Sequence, residues 1–122
     1  MIGYVTLGTN DIDRAGRFYD ALFTVIGAKR AMQFDGFIAW ATAPGTPMVA
    51  VIKPYDKKAA TVGNGVMVAL AASSKAQVDA IYNKAIELGG KDEGKPGPRG
   101  DGFYAGYFRD LDGNKLNAYF MG

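Results

Sequence analysis

The sequence predicts an α+β fold of two tandem βαβββ modules in one domain, residues 1–55 and 64–122, joined by a crossover loop over 56–63. Three observations carry this reading. The first is an internal repeat: a shift of 63 places Val5 on Val68, Leu7 on Leu70, Phe18 on Ile81, Tyr19 on Tyr82 and Gly27 on Gly90. A shift of 66 then places Asp35-Gly36-Phe37 on Asp101-Gly102-Phe103, the change that one loop insertion produces. The second is the run from Phe103 to Phe120, an aromatic stretch, an Asp-Gly turn and another aromatic stretch, which is a strong hairpin signal. The third is the presence of seventeen glycines, which supply the turns that many short strands require.

The elements follow in order. Gly3–Gly8 reads as a strand, and Thr9-Asn10-Asp11 offers capping side chains to a helix striped by Ile12, Ala15, Tyr19, Leu22 and Ile26. Gly27 stops it. Between Ala28 and Lys53, Asp35-Gly36 and Pro44-Gly45-Thr46-Pro47 separate three extended runs. The polar stretch from Pro54 to Asn64 carries no period and reads as the crossover. Val66–Ala72 then restarts the pattern as a strand, Ser74-x-x-Gln77 is a capping box, and Val78, Ile81, Ala85 and Leu88 stripe a helix ended by Gly89-Gly90. Lys91–Asp101, with Pro96 and Pro98, reads as a stiffened loop.

Composition narrows the function. With 48% apolar residues the chain supports one substantial core. Fourteen basic residues mixed evenly among twelve acidic ones form no stripe for a phosphate backbone, so nucleic acid is not an expected partner. The absence of cysteine and histidine removes thiol chemistry, disulfides and imidazole ligands together. No window is apolar enough to span a membrane and no leader pattern precedes the first strand, so no membrane contact and a cytoplasmic location are expected.

Asp110-Leu111-Asp112-Gly113-Asn114 superficially suggests a calcium loop. An EF-hand needs Gly at its sixth position and Glu at its twelfth, whereas here Gly is fourth and Met121 is twelfth. The acidic pair is therefore turn chemistry. The segment Phe108–Asn117 instead resembles the closing signature of the vicinal oxygen chelate superfamily, which includes glyoxalase I, bleomycin resistance proteins and extradiol dioxygenases: an aromatic strand, Asp-Pro-Asp-Gly-Asn, two residues, then a metal-binding Glu. That Glu position falls on Asn117. Further marks of the resemblance are Asn10-Asp11 after the opening strand, Phe18-Tyr19 and the strand from Gly65.

The resemblance implies a glyoxalase-like fold, paired βαβββ units forming a curved mixed sheet around a cavity. It also carries the family's metal positions onto Tyr4, Met67, Asn117 and either Val49 or Ala50. None is a carboxylate or an imidazole, so no metal and no other cofactor is expected. If these residues face the cavity, strand alternation brings Thr6, Ala69 and Tyr119 with them and turns Val5, Leu7, Val68, Leu70, Leu116 and Ala118 toward the helices. Trp40 and Tyr104 add aromatic surface, and Arg99 is placed to pair with a ligand anion. The expectation is a metal-independent, bleomycin-resistance-like protein, a homodimer by the same resemblance, holding a small, mainly apolar or aromatic organic molecule with Tyr4, Trp40, Met67, Arg99, Tyr104, Asn117 and Tyr119. The alternatives are a divergent lyase or isomerase using Tyr4 as acid or base, and an interaction module whose cavity is filled.

Overall fold

In the first helix, Asp11 accepts the Arg14 backbone N–H at 3.0 Å, satisfying a donor that the first helical turn leaves without a partner. At its other end Gly27 adopts a left-handed φ of 72°, which a Cβ would disfavour. The computed structural model describes all of residues 1–122 and divides into two compact units, Met1–Val62 and Gly63–Gly122.

The first unit runs β1 (Tyr4–Gly8), α1 (Ile12–Phe23), a 3-10 turn at Thr24–Ile26, β2 (Lys29–Phe34), β3 (Phe37–Ala41) and β4 (Met48–Ile52). Its sheet has the order β1-β4-β3-β2. The β1–β4 pair is parallel and the others are antiparallel. Alternation along the strands turns Leu7, Ile38, Trp40 and Val51 toward α1, whose Phe18, Tyr19, Leu22 and Phe23 are buried. Ile26 drops out of the predicted stripe because the helix has tightened into the 3-10 turn before reaching it. Gly16 lets helix and sheet approach, since a Cβ there would stand 2.9 Å from both the Ile38 Cδ1 and the Arg30 Nη2.

The second unit repeats the plan: β5 (Val68–Ala71), α2 (Lys75–Glu87), β6 (Lys91–Pro98), β7 (Phe103–Arg109) and β8 (Lys115–Met121), in the sheet order β5-β8-β7-β6. Ser74 caps α2 by accepting the Gln77 N–H at 3.1 Å, and the Gln77 Oε1 accepts the Ser73 N–H at 2.8 Å. Val78, Ile81, Tyr82 and Ala85 are its buried stripe.

Two further stretches differ from the sequence reading. The restart strand is shorter than Val66–Ala72, so Met67 lies just before β5. The stretch expected as a loop forms β6 for most of its length. Pro96 and Pro98 are accommodated because β6 is the sheet edge, where a missing N–H breaks no ladder on the outer side, and because its register with β7 shifts between Asp92 and Gly94 and again between Gly94 and Gly97.

Candidate ligand site on the open sheet faces

Each sheet has one face covered by its own unit's helix and one turned away from it. In the second unit the turn after β7 determines which residues share that open face. Asp110 is buried; its Oδ1 accepts the N–H groups of Asp112 and Asn114, both at 2.9 Å, and its Oδ2 accepts the Asn114 amide at 3.0 Å. Gly113 supplies the positive φ of 89°. These bonds make Asp110 a turn residue and fix the pairing of Tyr107 with Asn117 and of Ala105 with Tyr119. Phe108, Leu116 and Ala118 consequently pack on the helix side, and Tyr107, Asn117 and Tyr119 share the open face.

Asn117 is 2% exposed, and its Oδ1 is buried without a hydrogen-bond partner. It lies between Ala69 on β5 and Tyr107 on β7. The Arg99 guanidinium sits over the Tyr107 ring at 5.6 Å, and the Lys115 ammonium is 5.6 Å from the same ring. Arg99 also donates to the carbonyls of Lys95 at 2.5 Å and Pro98 at 3.3 Å, so its head group is positioned by the end of β6. Arg109 pairs with Glu93 at 2.6 Å, and that guanidinium holds the Glu93 carboxyl below its usual range. Tyr119 stacks on Phe103 with ring centres 5.7 Å apart. Met67, just ahead of β5, is exposed.

The first unit presents a more apolar face. Tyr4 pairs with Met48, is 58% exposed, and meets Phe37 edge-on at 6.3 Å. Its hydroxyl has no hydrogen bond, and no cation lies over its ring. Ala50 is the counterpart of Asn117: it pairs with Thr6 as Asn117 pairs with Ala69, and Thr6 and Ala69 are related by the 63-residue repeat. Val49 faces α1.

Two expected ligand contacts are corrected. Trp40 is 2% exposed in the α1 interface against Tyr19 and Phe23, and its Nε1 donates to the Asp20 Oδ1 at 2.9 Å. The Asp20 carboxyl, which also takes two bonds from Arg30, is held below its usual range chiefly by that guanidinium. Tyr104 points to α2, where its hydroxyl donates to the Asp79 Oδ1 at 2.7 Å, and this bond raises the phenol's pKa. Both aromatics have the strand parity of helix-facing residues. Tyr107 was missed, although pairing across the Asp110–Asn114 turn identifies it as the residue opposite Asn117.

The donor set does not fit a divalent metal. The four positions that match the family's ligands hold a phenol, a thioether, an amide and a methyl group, and no cluster of three His, Cys, Asp or Glu side chains exists anywhere in the chain. Such ions require charged oxygens, imidazoles or thiolates.

Two four-stranded mixed sheets, each carrying one helix and joined in the same strand order, define the paired-βαβββ class of α+β proteins. The chain belongs to the glyoxalase/bleomycin resistance protein/dioxygenase superfamily, whose sequence model matches residues 1–118. A glyoxalase/bleomycin resistance protein from Albidiferax ferrireducens T118 is 34% identical with a TM-score of 0.90, over 98% of this chain and 97% of that one. A lactoylglutathione lyase from Agrobacterium tumefaciens is 23% identical with a TM-score of 0.69, over 98% and 92% of the two chains. A fosfomycin resistance protein from Mesorhizobium loti is 19% identical with a TM-score of 0.71, over 100% and 92%. At those last two identities the likeness is one of fold. No curated protein sequence matches the chain.

Proposed function

We infer that this chain is a metal-independent member of the superfamily that binds a small, mainly apolar or aromatic organic molecule on the open face around Asn117. The observation that carries the reading is the Asn117 amide, buried with its Oδ1 unpaired. Leaving such a group unsatisfied costs roughly 1–3 kcal/mol, and a polar group of a ligand relieves that cost. Around it Tyr107, Tyr119 and Phe103 offer flat apolar surface, and Arg99 and Lys115 offer positive charge beside Tyr107. That combination suits shape and apolar contact with a few orienting polar groups.

Thermal unfolding of the full chain with a panel of small aromatic compounds tests the reading. A ligand at a hundred times its Kd stabilises by about 2.7 kcal/mol, a rise of several degrees. The rise is expected for some members of the panel and is expected to shrink in Asn117→Leu. A flat response across the panel, or a rise that Asn117→Leu leaves unchanged, overturns it. The reading includes a homodimer, which light scattering at micromolar concentration checks directly.

A further inference from the structure

The first unit has a second feature that the Asn117 face does not use: a groove of about 580 Å³ where the β2–β3 turn meets the chain leaving β4. Its lining includes Lys53, Lys57 and Lys58, the rings of Phe34, Phe37 and Tyr55, and one carboxylate, Asp35. We propose that this groove is a binding site for a small planar molecule bearing one anionic group, an aromatic carboxylate or an aryl phosphate monoester. The inference stands independently of the reading of Asn117.

Charge is the first argument. Three lysines against one carboxylate give the lining a net charge of +2, equal to the formal charge of the whole chain. None of the three lysines takes part in an ion pair, and the pairs Arg30–Asp20, Lys84–Glu87 and Arg109–Glu93 lie elsewhere. The neighbouring Asp56 is occupied in shaping the loop, its Oδ1 accepting the Lys58 N–H at 3.0 Å. Unpaired lysines lining a concave surface raise the positive potential there.

The second argument is that the loop carrying the lysines is fastened rather than trailing. The Lys53 N–H donates to the Gly36 carbonyl at 2.9 Å and the Lys57 N–H to that of Pro54 at 3.0 Å. Beyond the lysines, Ala60 and Asn10 exchange two bonds, at 2.7 and 3.3 Å. Within this frame Lys57 has a φ of 65°, the one non-glycine residue of the chain with a positive φ. A left-handed lysine costs roughly 1–2 kcal/mol, which glycine would avoid. A strained backbone position that carries a cation is a pattern met at ligand clamps.

The third argument is the aromatic wall. Phe34 and Phe37 lie parallel with ring centres 4.6 Å apart, and Phe34 remains 58% exposed. Tyr55 is 98% exposed, with no ring contact or hydrogen bond. A ligand ring on this wall gains apolar contact while its anion meets the lysines. The groove has the volume of a small-molecule site, and no basic stripe extends from it along the chain.

Amide chemical-shift titration of the full-length protein tests the proposal with four probes: 2-naphthyl phosphate, naphthalene-2-carboxylate, inorganic phosphate and neutral 2-naphthol. The expected result is saturable shifts at residues 34–37 and 53–60 with at least one aryl anion, and the stronger of the two identifies the anion class. Inorganic phosphate and 2-naphthol are expected to bind at least tenfold more weakly. Lys57→Gln with Lys58→Gln is expected to weaken binding at least fivefold, and Tyr55→Ala about as much, while Asn117→Leu leaves it unchanged. Lys57→Gly supplies a check that does not depend on a fragile variant, because it should raise Tm while weakening the aryl anion. The proposal is overturned by absent shifts, by 2-naphthol or inorganic phosphate binding as well as the aryl anions, or by affinity that survives loss of the two lysines.

Discussion

At the scale of single residues, polar groups buried in the second unit fall into those with partners and one without. Asp110 accepts three bonds and holds the β7–β8 register. Asp110→Ala strands two backbone N–H groups, and a loss on the order of 2 kcal/mol in denaturant unfolding is expected. Asn117 behaves oppositely. Asn117→Leu removes an amide whose Oδ1 has no partner, so stability should hold or rise by roughly 1 kcal/mol while ligand-induced stabilisation falls. A clear stability loss in that variant would show that the amide is satisfied and would remove the argument for a ligand. Residue identity was legible to the extent that local chemistry decided it. The Asp-Gly turn and both helix caps could be read directly, whereas Trp40 and Tyr104 could not be assigned to a face by being aromatic. Counting strand parity from Leu116 across the turn places Tyr104 with Phe108 on the helix side.

At the scale of elements, β6 is where sequence signals and structure part. Two prolines and two glycines within eight residues read as a loop, and only the tertiary position of the segment, at a sheet edge beside β7, makes it a strand. What ties this irregular strand to α2 is the Tyr82 hydroxyl donating to the Asp92 Oδ1 at 2.7 Å. Burial, reinforced by that bond, pushes the Tyr82 phenol from its ordinary 10.0 up to about 12, and the same bond holds the Asp92 carboxyl below its usual range. Because the folded protein favours the protonated phenol, its stabilising effect is complete below pH 10 and is lost as pH rises toward 12. The Asp92 contribution has the opposite sense: it is complete above the ordinary carboxylate range and is lost as pH falls through the lowered value. In urea unfolding across the alkaline range, Tyr82→Phe should therefore lose stability less steeply than the parent protein, with the difference confined to the interval from about 10 to 12. Parallel curves for the two proteins would mean that Tyr82 ionises as an ordinary phenol.

At the scale of the whole chain, the repeat of 63 residues was legible because both copies kept the same strand, helix and glycine punctuation, and the two sheets have the same strand order. What differs between the copies is chemical. Ala50 stands where the second copy has Asn117, and the lysine-lined groove belongs to the first unit. The family's acidic ligand position can be restored by Asn117→Glu, and the structure specifies what should follow. Residue 117 is 2% exposed between two strands, so an ionised carboxylate there loses its hydration, with Arg99 and Lys115 lying against the ring of the neighbouring Tyr107. The variant should be less stable than the parent at neutral pH by a few kcal/mol, and should recover part of the loss in mild acid as the carboxyl protonates. Adding Ni²⁺, Zn²⁺ or Mn²⁺ should not restore its Tm, because the protein has no cluster of His, Cys, Asp or Glu side chains suited to a metal, and a single added carboxylate does not hold such an ion. A saturable metal-dependent rise in the Tm of Asn117→Glu would show that one carboxylate is enough, and the case for metal-independent binding would then rest on residue 117 alone.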